Sequence, residues 1–139
     1  MYGFHNNQRW EQMPRIRDYH QRIDELWHIA WINLSKMPSQ TASSMSDVEW
    51  NYREHWEDIV KTQLSLCQPD VIIFGYTFGC MRADYPDAKP VRRYSNEIVS
   101  FLLRDNQVLL DTKHPGRKGG KYVNALIKAL QVACRLLGK

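Results

Sequence analysis

The chain has 139 residues, enough for one hydrophobic core but not for two, so a single domain is expected. A hydrophobic fraction of 43% with 12% aromatic residues excludes a disordered chain, and no run approaches the ~20 apolar residues of a membrane span. The formal net charge of +4 is compatible with a polyanionic partner but does not specify one.

The N-terminus, MYGFHNNQRWEQMPR, lacks the apolar centre of a secretory signal, which makes the cytosol the expected compartment. Residues 9–26 are polar and aromatic, with a helix expected after Pro14. The run HIAWINLS, His28 to Ser35, is nearly continuous in apolar residues, as in a strand buried on both faces. Lys36 to Met45 is a loop rich in serine, threonine and proline. Ser46 and Glu49 have capping-box spacing, and the helix they open runs to about Leu66 on the stripe Val48, Tyr52, Trp56, Ile59, Val60 and Gln63. Trp31, Trp50 and Trp56 are expected in the core. Cys67, Cys80 and Cys134 are odd in number and widely spaced, which suits small buried residues better than a disulfide framework or a zinc site.

Gln68-Pro69-Asp70 ends that helix and leads into VIIFG, Val71 to Gly75, the clearest strand in the chain. A short helix over Thr77–Arg82 and a proline-containing excursion from Asp84 to Asn96 follow. EIVSFLLRDNQVLLDT reads as two strands around a turn at Asp105-Asn106, with a helix end as the alternative for the first. The last element is a helix from Tyr122 to Leu137 with Gly138 as its cap. Buried strands alternating with amphipathic helices predict an α/β fold: a three-layer α/β/α domain with a short, mainly parallel sheet.

In open α/β sheets ligands bind beyond the carboxyl ends of the strands. The groups delivered there are Asn33 and Lys36, then Gly75, Tyr76 and Thr77, then His114 and Gly116. Behind His114, the glycines Gly119 and Gly120 leave the amides of the next helix uncovered, and Arg117, Lys118 and Lys121 add positive charge, a setting that favours a phosphate. Each feature also has a plainer reading: a loop histidine before proline, a turn-capping asparagine, a solvated cationic face. Neither a metal nor an organic cofactor is called for.

Taken in order, INLSK, PDVIIFGYTF and LLDTKHPG with its trailing helix, the chain resembles the uracil-DNA glycosylase superfamily, in particular its uncharacterised bacterial branch. The resemblance covers roughly Ile29 to Leu137. It implies that His114, in a His-Pro-Gly version of the family's His-Pro-Ser motif, donates a hydrogen bond to the leaving base. It further implies that Asn33 reads the base edge, with Tyr76 and Thr77 beside it, and that Lys36 and Gly116 to Lys121 hold phosphates. Two departures stand out. Gly116 replaces the motif serine, and nothing in residues 1–27 matches the water-activating motif, leaving a truncated chain, a sheet completed by another strand or by a second copy (a homo-oligomer), or a rearranged sheet. The expected function is therefore a glycosylase-like domain binding DNA or nucleotide, weakly active or inactive. The alternatives are an active DNA-repair N-glycosylase, or a module for small phosphate compounds or protein contacts.

Overall fold

A computed structural model describes residues 6–13, 28–34, 44–96, 98–104, 106–114, 116 and 119–138. The helix expected after Pro14, the loop over 36–43, and Lys36, Arg117 and Lys118 lie outside the described residues.

A 3-10 turn spans Trp10–Gln12, and α1 (Met45–Asn51) passes through a π-helical turn, Tyr52–Trp56, into α2 (Glu57–Cys67). Strand β1 (Val71–Gly75) leads to α3 (Phe78–Met81) and a 3-10 turn over Arg82–Asp84. Strands β2 (Lys89–Arg92), β3 (Ile98–Arg104) and β4 (Gln107–Thr112) precede α4 (Gly120–Leu136). The excursion after Asp84 thus contributes a strand of its own, and both strands expected around Asp105-Asn106 form.

The chain is α/β, with helices on both faces of a four-stranded sheet of order β1-β4-β3-β2. The parallel relation belongs to β1 and β4, whereas β3 joins β4, and β2 joins β3, antiparallel, so the sheet is mixed rather than mainly parallel. The cause is local. Arg104 pairs with Gln107, so β3 and β4 are closed by a two-residue hairpin with Asn106 at φ 62°, and such a turn permits only antiparallel strands.

Strand β4 is one of the two inner strands, and its side chains divide the core. Leu109 packs with Phe74, Tyr52, Val60 and Met81 under α1 and α2; Val108 and Leu110 pack with Tyr122, Ala129, Leu130 and Ala133 of α4. All three β4 residues are fully buried, each stabilising the fold by about 2 kcal/mol relative to exposure. Strand β1 repeats the alternation, with Ile72 and Phe74 on the α1/α2 side and Val71 on the α4 side.

Several sequence expectations are corrected. Residues 28–34 form no strand: Ile32 and Leu34 rest on the core while Trp31, 78% exposed, and Asn33 face outward. An apolar run becomes a strand only when a ladder partner completes it; here half of the run serves as a packed extended segment. The capping box of α1 is Ser44 with Asp47 rather than Ser46 with Glu49. Ser44 Oγ accepts from the Asp47 amide at 3.2 Å, and Asp47 Oδ2 accepts from the Ser44 amide at 3.0 Å. The π turn shifts the helix phase by one residue, so Tyr52 and Val60 are buried while Ile59 and Trp50 face solvent and Trp56 is only partly covered. Of the cysteines, only Cys80 is fully buried, and Cys67 is exposed.

Candidate functional site

Strand β4 ends at Thr112, which is buried, and the chain is fastened there. The Thr112 hydroxyl donates to the Phe74 carbonyl at 3.0 Å, and the buried Tyr122 hydroxyl of α4 donates to the Lys113 carbonyl at 3.0 Å. His114 follows these anchors and is exposed. Its Nδ1 accepts the Gly116 amide at 3.0 Å, so a neutral ring carries its proton on Nε2 and presents a donor to solvent. This arrangement gives Gly116 a physical reason. A Cβ there would lie 2.9 Å from Nδ1 and 3.1 Å from Cε1 of the imidazole, so any side chain at this position would displace the ring.

Alongside, β1 ends at Gly75 opposite Thr112, and the Tyr76 amide donates to the Thr112 carbonyl at 2.6 Å. Tyr76 takes a left-handed backbone, φ 67°, with its side chain 56% exposed. An aromatic residue held in that region costs about 1 kcal/mol or more, and such strain concentrates at functional sites. Thr77, partly buried, follows at the N-cap position of α3, with no capping bond from its side chain.

The mixed sheet adds cations that a parallel one would have placed elsewhere. Two antiparallel steps return β2 to the direction of β4. Arg92 pairs with Phe101, Phe101 with Leu110, and Ile98 with Thr112. Arg92 therefore lies level with Leu110, about 10 Å to its side, and Arg93 follows toward the end of the sheet that carries Thr112 and His114. Both arginines are exposed, and the Arg92 guanidinium lies 5.2 Å from the centre of the Tyr94 ring. Lys113 and Lys121 are exposed at the same end.

The start of α4 differs from expectation. Gly119 and Gly120 do open the helix, but the Trp10–Gln12 turn covers it. A Cβ on Gly120 would meet Trp10 Cδ1 at 2.5 Å and Glu11 Oε1 at 3.1 Å. The Trp10 amide donates to Asn124 Oδ1 at 2.8 Å, and Asn124 Nδ2 donates to the Glu11 carboxylate at 3.3 Å. A carboxylate of the chain itself thus stands at the positive end of the helix, where an external phosphate was expected.

Asn33 lies outside the strands that carry the other expected site residues. Its segment is outside the sheet, and its Oδ1 accepts Trp31 Nε1 at 2.9 Å. Among the described residues no hydrogen bond joins it to His114, Tyr76 or Thr77. What the fold does bring to one edge is His114, Gly116, Tyr76, Thr77, Gly119, Gly120 and Lys121.

A second polar cluster, not anticipated from the sequence, stands toward the opposite end of the sheet. Arg53 Nη1 donates to Asp84 Oδ1 at 3.0 Å and to Glu57 at 3.0 Å, Arg53 Nη2 to the Cys80 carbonyl at 2.8 Å, and Tyr52 Oη to Asp84 Oδ2 at 2.9 Å. Lys61 bridges Glu57 and Asp84. Burial opposes ionisation of Asp84, but the bonds from Lys61, Arg53 and Tyr52 outweigh it and hold its carboxyl below the ordinary value. Burial, then the bond and charge of Asp84, push the Tyr52 phenol well above its usual value. Beside the cluster is a cavity of about 300 Å³ lined by Lys61, Ile72, Met81, Asp84, Tyr85 and Gln107, among others. The spacing Arg53, Glu57, Lys61 signals an ion-pair ladder on a helix, but nothing local to Asp84 announces that it closes the ladder.

Among the described residues no helix is long and apolar enough to cross a membrane. Comparison of the chain with protein-family models, with curated proteins and with solved structures gives no match.

Proposed function

We propose that this chain is a cytosolic nucleic-acid-binding domain of the uracil-DNA glycosylase-like kind, weakly active or inactive in base excision. The observation that carries the reading is the convergence at one sheet end of His114, the strained and exposed Tyr76, and the cations Arg92, Arg93, Lys113 and Lys121. Basic side chains spread along one edge suit a phosphate backbone better than a single small anion. An exposed tyrosine offers a face on which an unpaired base stacks. The Nε2 donor of His114 is the group that would stabilise negative charge on a base oxygen. Asn33 supports binding over catalysis, because it lies outside the sheet and its side-chain oxygen, the acceptor a flipped base would need, already accepts from Trp31.

Fluorescence anisotropy with a uracil-containing oligonucleotide tests the reading. For about three phosphate contacts, affinity should fall roughly 40-fold between about 50 and 200 mM salt. Affinity indifferent to salt, or absent altogether, removes the nucleic-acid reading. Alkali treatment of the same DNA should reveal little strand cleavage, and robust cleavage abolished by His114→Ala would instead establish an active glycosylase.

A further inference from the structure

The two edges of the sheet are built differently. Strand β2 reads Lys-Pro-Val-Arg, and its register breaks between Pro90 and Arg92. A lysine, a proline and an irregular ladder are the means by which proteins keep an edge from pairing. Strand β1, the other edge, reads Val-Ile-Ile-Phe-Gly and carries none of them.

The ladder to β4 fixes which groups β1 leaves free. The Val108 amide donates to Asp70 at 2.9 Å and the Tyr76 amide to Thr112 at 2.6 Å. In a parallel ladder these bonds turn the amides and carbonyls of Ile72 and Phe74 toward β4, and those of Val71, Ile73 and Gly75 toward the open edge. Among the described residues no side-chain or loop hydrogen bond takes them. Ile73, in the middle of the strand, pairs with the buried Leu110 yet remains 43% exposed, because α4 covers the sheet further toward β3.

We propose that β1 is the docking edge for a second copy of this chain, forming a two-fold dimer in which the sheet runs continuously through β1 of both copies. The free groups are self-complementary about Ile73. An antiparallel pairing centred there sets Ile73 against Ile73 and Val71 against Gly75, and each of these pairs exchanges two hydrogen bonds. The same register covers the exposed Ile73 side chain with its own counterpart. It also places the flanking acid, Asp70, opposite Tyr76, so no like charges face each other across the seam.

Sedimentation equilibrium over a wide concentration range tests this with three proteins. Wild type should shift from 16.5 kDa toward twice that mass as concentration rises. Ile73→Lys and Ile73→Glu should each stay monomeric, because like charges then meet at the two-fold axis, and an equimolar mixture of the two should regain the dimer. Far-UV circular dichroism should be unchanged in both variants, as expected at a half-exposed position. A wild type that stays monomeric throughout, its edge taken by another segment of the chain or reserved for another protein, overturns the proposal. So does a dimer that survives both substitutions, or one that mixing fails to restore.

Discussion

The two ends of the sheet hold charge in opposite ways. Toward the amino end, Asp84, Arg53, Glu57, Lys61 and Tyr52 bond to one another, and each group has its partner within the fold. At the carboxyl end, Arg92, Arg93, Lys113, His114 and Lys121 are exposed beside a backbone held at positive φ, and the groups that fasten the strand ends there are Thr112, Tyr122 and backbone amides. Charges that satisfy one another tie α2 to the turn after β1 and stabilise the fold. Exposed charges beside local strain are the ones a ligand can use.

The largest effect that would separate the two ends is on stability. Asp84→Asn leaves Arg53 and Lys61 with Glu57 as their one shared counter-charge in the cluster and should cost about 2–3 kcal/mol in urea unfolding, with oligonucleotide affinity of the folded protein unchanged. The pH dependence has a definite sign. Asp84 titrates below the ordinary carboxyl value when folded, so its contribution is present above that value and is lost as pH falls through the lowered one. Burial pushes Asp111 the other way, so its contribution is present in acid and lost as pH rises through its raised value. Asp111→Asn should therefore stabilise the protein at neutral pH, whereas Asp84→Asn destabilises it there and converges with wild type in acid. Equal curves at pH 7 for wild type and Asp84→Asn would break the comparison.

At the carboxyl end the trade runs in the other direction. Tyr76→Gly relieves the left-handed backbone and should raise stability by about 1 kcal/mol, while weakening oligonucleotide binding by about 1–3 kcal/mol through lost stacking. A loss of stability without a loss of binding would make Tyr76 a packing residue. Replacing Arg92 and Arg93 together by alanine should lower the slope of log affinity against log salt by about two, one per phosphate contact removed. The smallest effect is at the histidine. Gly116→Ser should change stability by less than about 1 kcal/mol but move the His114 ring, which a nitrogen-15 spectrum would register as a changed tautomer balance.

How much of this was legible in the sequence varies with the range of the interaction. The strand Val71–Gly75, the hairpin around Asn106 and the final helix carry local signals, namely β-branched runs, a turn residue that accepts positive φ, and an apolar stripe, and all three form where expected. The run at Ile29–Leu34 carries the same apolar signal but lacks a ladder, and pairing is not a local property. The direction of β2 was equally hidden, because it depends on two successive antiparallel steps, and those steps bring Arg92 and Arg93 to the site edge. The covering of α4 by Trp10 and Glu11 joins residues 114 positions apart in the chain, and no spacing rule reaches that far.

The most direct test of the account is a map of amide chemical-shift changes as an oligonucleotide is added to the labelled protein. Changes should appear at Tyr76, Thr77, Arg92, Arg93, Lys113, His114 and Lys121, with little change around Asp84. Changes centred instead on Lys61, Asp84 and Gln107, or spread without regard to the sheet's two ends, would contradict it.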